Sequence, residues 1–572
     1  MNDRRGAPGD AAHRGRGDTG TRRHGEGRPW RGLKRVAAYL VFCPLLYPAT
    51  LPKFWTDRFR GPDVQVREVE GIQDRVQAGK LYLNVKDFIA LVLKNNTEIN
   101  MTRLDVLTAA DAILFAKQPF DPNIIAGFNS IRTETPQFSQ IGGAQQLNSL
   151  SQTTNIGFQQ TLQSGQVLNW GYNAVRSSSN NAFNFFNPNI FSGLNFSVTQ
   201  PLLQGRGNLQ LRAPLMIART QLMITSEQSE ARIADLVAAA ARQYWDAIQA
   251  RDNIKVQQQA YDLAQKSYER DKLALDLGAL PSLDIFQSQS QVAQRKVGVI
   301  QAQYAYRDAL DGLRRIIGAD LSPATRSIEI VLEDDPVSTP TPVMPVDEAI
   351  AAALRKRPEL SWIRRRQGID DLNARVARDS MLPRFDLSAI GGASGLGGNQ
   401  IPVSGPLGSG PSTFVAGGLG DALHQMFAFQ APTYGFAVNV TLPVRSSAAQ
   451  ASLADALVNN ARDRYQARQF EQQVIQEVKS FTNQIAMSIA QIEAAKVARD
   501  LVQKNVEAEQ QKYELGGVTA FEVLDAQARL ATVEGSLLEA YTGYQKALIS
   551  YERAVWTLLD GMGIIVEVPK VR

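Results

Sequence analysis

The chain has 572 residues, a formal net charge of +5 and a hydrophobic share of 44%, a length that by itself suggests about three or four domains. The positive charge is concentrated: residues 1–35 hold ten Lys and Arg against four Asp and Glu, leaving the remainder close to neutral, and nucleic-acid binding loses its electrostatic footprint. The only histidines are His13, His24 and His424, and Cys43 is the only cysteine, so a catalytic triad, a His-rich metal site and an intramolecular disulfide lack their raw material.

Taken in order, residues 1–51 read as a basic leader and secretory signal. The apolar run Val36–Leu51 follows a basic segment and is interrupted by Pro44 and Pro48, and no apolar stretch further on is long enough for a membrane-crossing helix. Cys43 could serve a lipid anchor, but Phe42 precedes it where a small residue is expected; the alternative is a cysteine in a cleaved signal. Residues 52–80 form an extended lead-in. A first structural repeat is expected over 81–320, a linker over 321–343, a second repeat over 344–562 and a tail over 563–572.

The repeat is visible in two echoes. Leu277-Gly278 and Leu515-Gly516 align at a shift of 238, together with Asp284 and Glu522, Gln289 and Gln527, and Tyr306 and Tyr544. Gly193–Leu202 and Gly435–Val444 align at a shift of 242. Units of this length are too long for a solenoid. In each repeat a short amphipathic helix opens the unit, at Val85–Leu93 and at Val346–Ile350. A second helix follows after Asn95-Asn96 or at Arg357-Pro358-Glu359-Leu360, where proline suits the first turn.

Residues 123–200 are rich in Asn, Gln, Ser, Thr, Gly and Phe and nearly free of charge. Ile156/Phe158, Leu168/Trp170/Tyr172 and Leu194/Phe196/Val198 alternate with polar partners, as do Phe385/Leu387 and Phe436/Val438/Val440/Leu442 in the second half. Apolar outside with small polar residues inside is what a membrane β-barrel requires, although a soluble sandwich also alternates. Two long strand regions per half give four strands per chain, too few to close, so other copies must complete the barrel. The Phe183–Phe191 cluster suits an aromatic girdle or an outer loop; the alternative is a sticky surface patch. Gly391–Gly395 reads as flexible loop, because no strand–glycine–helix context makes it a phosphate cradle.

Long helices follow each strand pair. From Pro214 to Asp276, and from about Ser446 to Tyr513, neither proline nor glycine interrupts after the start, predicting helices of about 100 Å. Their seams are Ile233, Leu236, Val237, Ala240, Tyr244 and Ile248 in the first, and Val474, Val478, Phe481, Ile485, Ile489 and Ile492 in the second. Shorter helices return over 282–317 and 520–560. The turns between them leave Leu277 and Leu515 as apolar knobs beside Gly278-Ala279 and Gly516-Gly517. Glu522 and Asp525 lie three apart on one helix face. In an oligomer they form acidic rings that attract cations; the alternative is helix N-terminal charge favoured by the macrodipole.

Duplicated halves, paired strands, two helices of about 100 Å and Leu-Gly tip turns together resemble the TolC-type outer-membrane efflux channels. The resemblance spans about residues 80–560; its best motifs are the tips, Arg357–Leu360 and Thr199-Gln200-Pro201-Leu202-Leu203. It implies an α+β membrane protein, a homotrimer of twelve strands in outer-membrane lipid continued by a periplasmic coiled-coil tube of helices. It implies no catalysis, no cofactor and no metal. The partners implied are a periplasmic adaptor, met by Leu277, Gly278, Ala279, Leu515, Gly516 and Gly517, and an inner-membrane transporter, in a tripartite efflux or type I secretion system. Tyr513, Asp284, Glu522 and Asp525 match the family's periplasmic gate, while Val518 and Leu283 depart from its closing links. The rival reading is an extracytoplasmic coiled-coil adhesive protein without a pore, which charged residues on the outer strand faces would favour.

Overall fold

A computed structural model describes Val66 and residues 68–136, 145–181, 184–277, 284–337, 343–400 and 415–563. The described elements all belong to one compact unit, Glu68–Arg572. The signal segment, Cys43, Phe183, Gly278, Ala279 and Leu283 lie outside the described residues.

This unit runs β1 (Val76–Gln77), β2 (Lys80–Leu83), α1 (Val85–Asn95), α2 (Thr97–Lys117), β3 (Asn123–Pro136), β4 (Gln146–Thr161), β5 (Val167–Ser179), β6 (Phe186–Pro201), α3 (Leu209–Asp276) and α4 (Asp284–Ile316). It continues through β7 (Glu329–Leu332), α5 (Val346–Lys356), α6 (Pro358–Asp379), β8 (Arg384–Gln400), α7 (Leu419–Phe427), β9 (Ala431–Thr441), α8 (Ser447–Glu514) and α9 (Ala520–Val555). The duplication is visible in the order of elements: α1 and α2 recur as α5 and α6, and α3 and α8 are each 68 residues long, about 100 Å at 1.5 Å per residue.

Local chemistry sets the breaks. Asn84 caps α1 by accepting from the Asp87 N–H at 2.8 Å, and Asn96 caps α2 by accepting from the Ile99 N–H at 3.1 Å. Pro358 takes the first turn of α6. The expected seams are buried: Ile233, Val237, Ala240, Tyr244 and Ile248 in α3, and Val474, Val478, Ile485 and Ile492 in α8. The first joins a core with Phe88, Leu83 and Leu332, under a small sheet of order β1-β2-β7. Strand β7 falls in the segment expected as linker, and it pairs in parallel with β2. Within that core the Tyr244 hydroxyl donates to the Leu83 carbonyl and to Asp334 Oδ2, at 2.9 and 2.7 Å.

The large sheet has the order β3-β4-β5-β6-β8-β9, every pair antiparallel. It has six strands where four are expected. The first half contributes four of them, because Asn123–Pro136 and Gln146–Thr161 form a further hairpin. Its apolar face thins out at Ser130, Arg132 and Gln152, which dilutes the alternation that marks the other strands. Register sorts the faces. Ile124, Phe158, Trp170, Phe196, Gly391 and Tyr434 form one transverse row, since directly paired residues point the same way. The next residues, Ile125, Gly157, Gly171, Asn195, Gly392 and Thr433, form a row on the opposite face.

The glycine run is a second correction. Gly391–Gly395 are strand residues of β8, not loop. Two glycines of β8 admit α7 and its N-cap: a Cβ on Gly395 would stand 2.0 Å from the Ala422 carbonyl oxygen, and one on Gly397 2.1 Å from that of Gly418. Ala422 and Met426 of α7 are buried against this strand.

Candidate functional site at the hairpin tips

At the α8–α9 tip the helix ends in αL geometry. Gly516 has φ +74°, the Gly516 N–H donates to the Tyr513 carbonyl at 3.0 Å, and the Gly517 N–H reaches back to Lys512 at 2.8 Å. Only a residue tolerant of positive φ terminates a helix this way. Leu515 projects from the turn, 87% exposed, and Leu277 stands 75% exposed at the other tip. Thr519 then starts α9 with a capping box, its N–H donating to Glu522 Oε2 at 2.9 Å.

Just above the tips the two hairpins are tied together. The Tyr513 hydroxyl on α8 donates to Asp271 Oδ1 on α3 at 3.0 Å. Ser288 on α4 donates to the other carboxylate oxygen of Asp271. Arg270 places its guanidinium carbon 4.4 Å from the Tyr513 ring centroid, with Nη2 3.6 Å from Asp271 Oδ1. On α9, Gln527 Nε2 donates to Ser267 Oγ of α3 at 3.2 Å. Asp271 is 1% exposed, and burial of a carboxylate is tolerable only because these donors replace its water.

Of the expected gate residues, Tyr513 therefore sits in a cross-hairpin knot. Glu522 is engaged in its own helix cap, and Asp525 Oδ2 pairs with Arg529 Nη2 at 2.6 Å, one turn on. Asp284 opens α4. Arg270 and Asp271 escape sequence reasoning because they lie in the charged run Tyr268–Lys272, which reads as a solvated helix face.

Arg357–Leu360 is a structural clamp. Arg357 donates through Nη2 to Glu477 Oε2 at 2.6 Å and through Nε to the Ala554 carbonyl at 2.8 Å. Glu359 pairs with Arg553 at 3.0 Å, and Arg553 pairs with Asp235 at 2.6 Å. Four helices, α6, α8, α9 and α3, are fastened by one network.

Among the described residues no helix is long and apolar enough to cross a membrane, and no group of three His, Cys, Asp or Glu is placed to hold a metal ion. A two-faced sheet with open edges, carried on two helical hairpins of about 100 Å, defines an outer-membrane β-barrel duct with a helical extension. The outer membrane efflux protein family matches residues 167–319 and 349–555, well over half of the chain, and the chain belongs to that family. It is a channel of the outer membrane with its helical part in the periplasm, and not an enzyme. Solved structures agree in fold. A membrane protein from Pseudomonas aeruginosa is 16% identical, with 84% of this chain and 90% of that chain covered at a TM-score of 0.59. The Campylobacter jejuni CmeC outer membrane channel is 15% identical, with coverage of 89% and 95% and a TM-score of 0.57. The Neisseria gonorrhoeae MtrE outer membrane channel is 16% identical, with coverage of 87% and 98% and a TM-score of 0.55. No curated protein matches the chain in sequence.

Proposed function

We propose that three copies form a passive exit duct, which takes solutes from a periplasmic adaptor and an inner-membrane transporter and releases them outside. The observation that carries this reading is the sheet: an apolar row runs across its strands and its edges are open, so a single copy cannot satisfy its backbone in lipid. The exposed knobs Leu277 and Leu515, with Gly278, Ala279, Gly516 and Gly517, are the adaptor-contacting tips. The duct closes at the same end. The Tyr513–Asp271–Arg270 knot holds the two hairpins of one copy together, and Asp284, Glu522 and Asp525 add negative charge near the constriction.

Single-channel recording of the detergent-purified protein in a planar bilayer tests this. We expect discrete cation-selective openings. A hydrogen bond to a charged acceptor is worth about 1.5–3 kcal/mol, so Tyr513→Phe should raise open probability roughly tenfold or more. Glu522→Ala combined with Asp525→Ala should weaken cation selectivity and block by divalent ions. Failure of the protein to insert as a trimer would sink the duct, whereas unchanged selectivity and block would sink only the acidic gate.

A further inference from the structure

We infer that the β3–β4 hairpin is part of the barrel wall, so that three copies close eighteen strands, with β9 of one copy paired to β3 of the next. This rests on the trimeric duct proposed above. The family match begins at Val167, the first residue of β5, and takes in β5, β6, β8 and β9, the two strands per half that the duplication calls for. Strands β3 and β4 precede it. They are neither a separate subdomain nor a plug: β4 pairs with β5 without a break from Thr161↔Val167 to Ser149↔Ser179.

The chemistry of the hairpin is that of the wall. Ile124, Ala126 and Phe128 of β3, with Ile156 and Phe158 of β4, continue the apolar face of Trp170 and Phe196 in register. Asn129 and Thr133 continue the polar face opposite. The charged groups on the apolar face, Arg132, Glu134 and Arg176, come only towards the end of the strands remote from the helices. There Arg176 Nη1 donates to Gln152 Oε1 at 2.8 Å, and Arg132 Nε lies 3.5 Å from Glu134 Oε1. Charge is tolerated at that level because it reaches the headgroups.

Six strands alternating in direction leave β3 and β9 as the two edges, running oppositely. The β9 edge of one copy therefore meets the β3 edge of the next as an ordinary antiparallel pair, a head-to-tail contact that closes into a ring. All fourteen residues of β3 are exposed in the single chain, as an edge awaiting β9 of the next copy requires. Barrel diameter grows roughly in proportion to strand number, so eighteen strands make the mouth about half as wide again as twelve. The helical tube keeps two hairpins per copy, so the exit is wider than the duct beneath it and bulky cargo meets its limit at the tips.

Cysteine crosslinking in outer membranes, in a Cys43→Ser background, tests the pairing. Phe436→Cys on β9 is combined in turn with Ile124→Cys, Ala126→Cys or Phe128→Cys on β3, and separately with Leu168→Cys, Trp170→Cys or Tyr172→Cys on β5. A short bismaleimide should link β9 to at least one β3 position and yield covalent dimers and trimers on denaturing gels, while the β5 set stays monomeric. Crosslinks from β9 to β5 would overturn the proposal by showing a twelve-stranded wall, and so would a trimer that links to neither set. Lysine-directed crosslinking of the same membranes reports the trimer independently. Its failure there would sink the trimeric reading itself, and the eighteen-stranded wall with it.

Discussion

Asp271 illustrates how single buried carboxylates divide the labour in this chain. It is satisfied by hydroxyl donors from two other helices, so it fastens two hairpins. Asp370 is placed differently. Burial first, and then the facing Asp463 carboxylate, push its carboxyl above the ordinary range, while Arg366 opposes them. Asp463 is fully buried with Arg366 Nε 3.0 Å away, and neighbouring Asp371 accepts from Asn460 at 2.9 Å. The folded protein thus holds the Asp370 proton more tightly than the unfolded chain does. Stability from this site is present at acidic pH and is lost as pH rises from the ordinary carboxylate range through the raised folded value. Asp370→Asn keeps a donor towards Asp463 and removes the ionisation. It should flatten that fall and raise the melting temperature at pH 7.5, read by circular dichroism across pH; an unchanged pH profile would show that Asp370 does not titrate in the folded protein.

The long helices owe their persistence to packing rather than to propensity. A helix of 68 residues is held at intervals by buried seams, and by polar clamps such as Arg357 and Arg553 where four helices cross. Its end is set by one residue. Gly516 adopts φ +74° and nothing lies within 4 Å of the position a Cβ would take. Gly516→Ala therefore meets no clash and carries only the conformational cost of the left-handed region, about 1 kcal/mol. Hydrogen exchange should quicken over residues 512–522 and stay unchanged in the rest of α8 and α9. A global loss of protection would mean that the tip bears on the whole fold.

For the whole molecule, the decisive property is which face of the sheet meets lipid. Phe196 and Ser197 are adjacent on β6 and point to opposite faces, Phe196 in the apolar row and Ser197 beside Asn169, whose amide donates to it at 3.4 Å. An arginine in the middle of a lipid-facing band costs about 2–4 kcal/mol. Phe196→Arg should therefore cut the yield of folded trimer in lipid vesicles, read by the heat-modifiable shift on gels. Ser197→Arg should assemble normally and shift ion selectivity instead. Equal losses from both would mean that the sheet is not a lipid-facing wall.

Sequence by itself determined the duplication, the two helices of about 100 Å, their seams, the tip turns and the two-faced strands. Each is a local periodicity or a residue with a narrow conformational role, such as Gly516 in αL or Pro358 in a first helical turn, and such signals do not depend on distant neighbours. It did not reveal how many strands the sheet holds or what Tyr513 meets. In the β3–β4 hairpin only Ile156/Phe158 alternate legibly; the rest is so rich in Asn, Gln, Ser and Thr that the apolar face of β3 emerges only when register sets Ile124 beside Phe158. The glycines of β8 look like loop until α7 is seen lying on them. Asp271 is two hundred and forty-two residues from Tyr513, and in isolation it is one charge among several on a helix face. Only the packing of one hairpin against the other turns it into a buried acceptor, because burial and partner choice are properties of neighbours that the chain brings together from far apart.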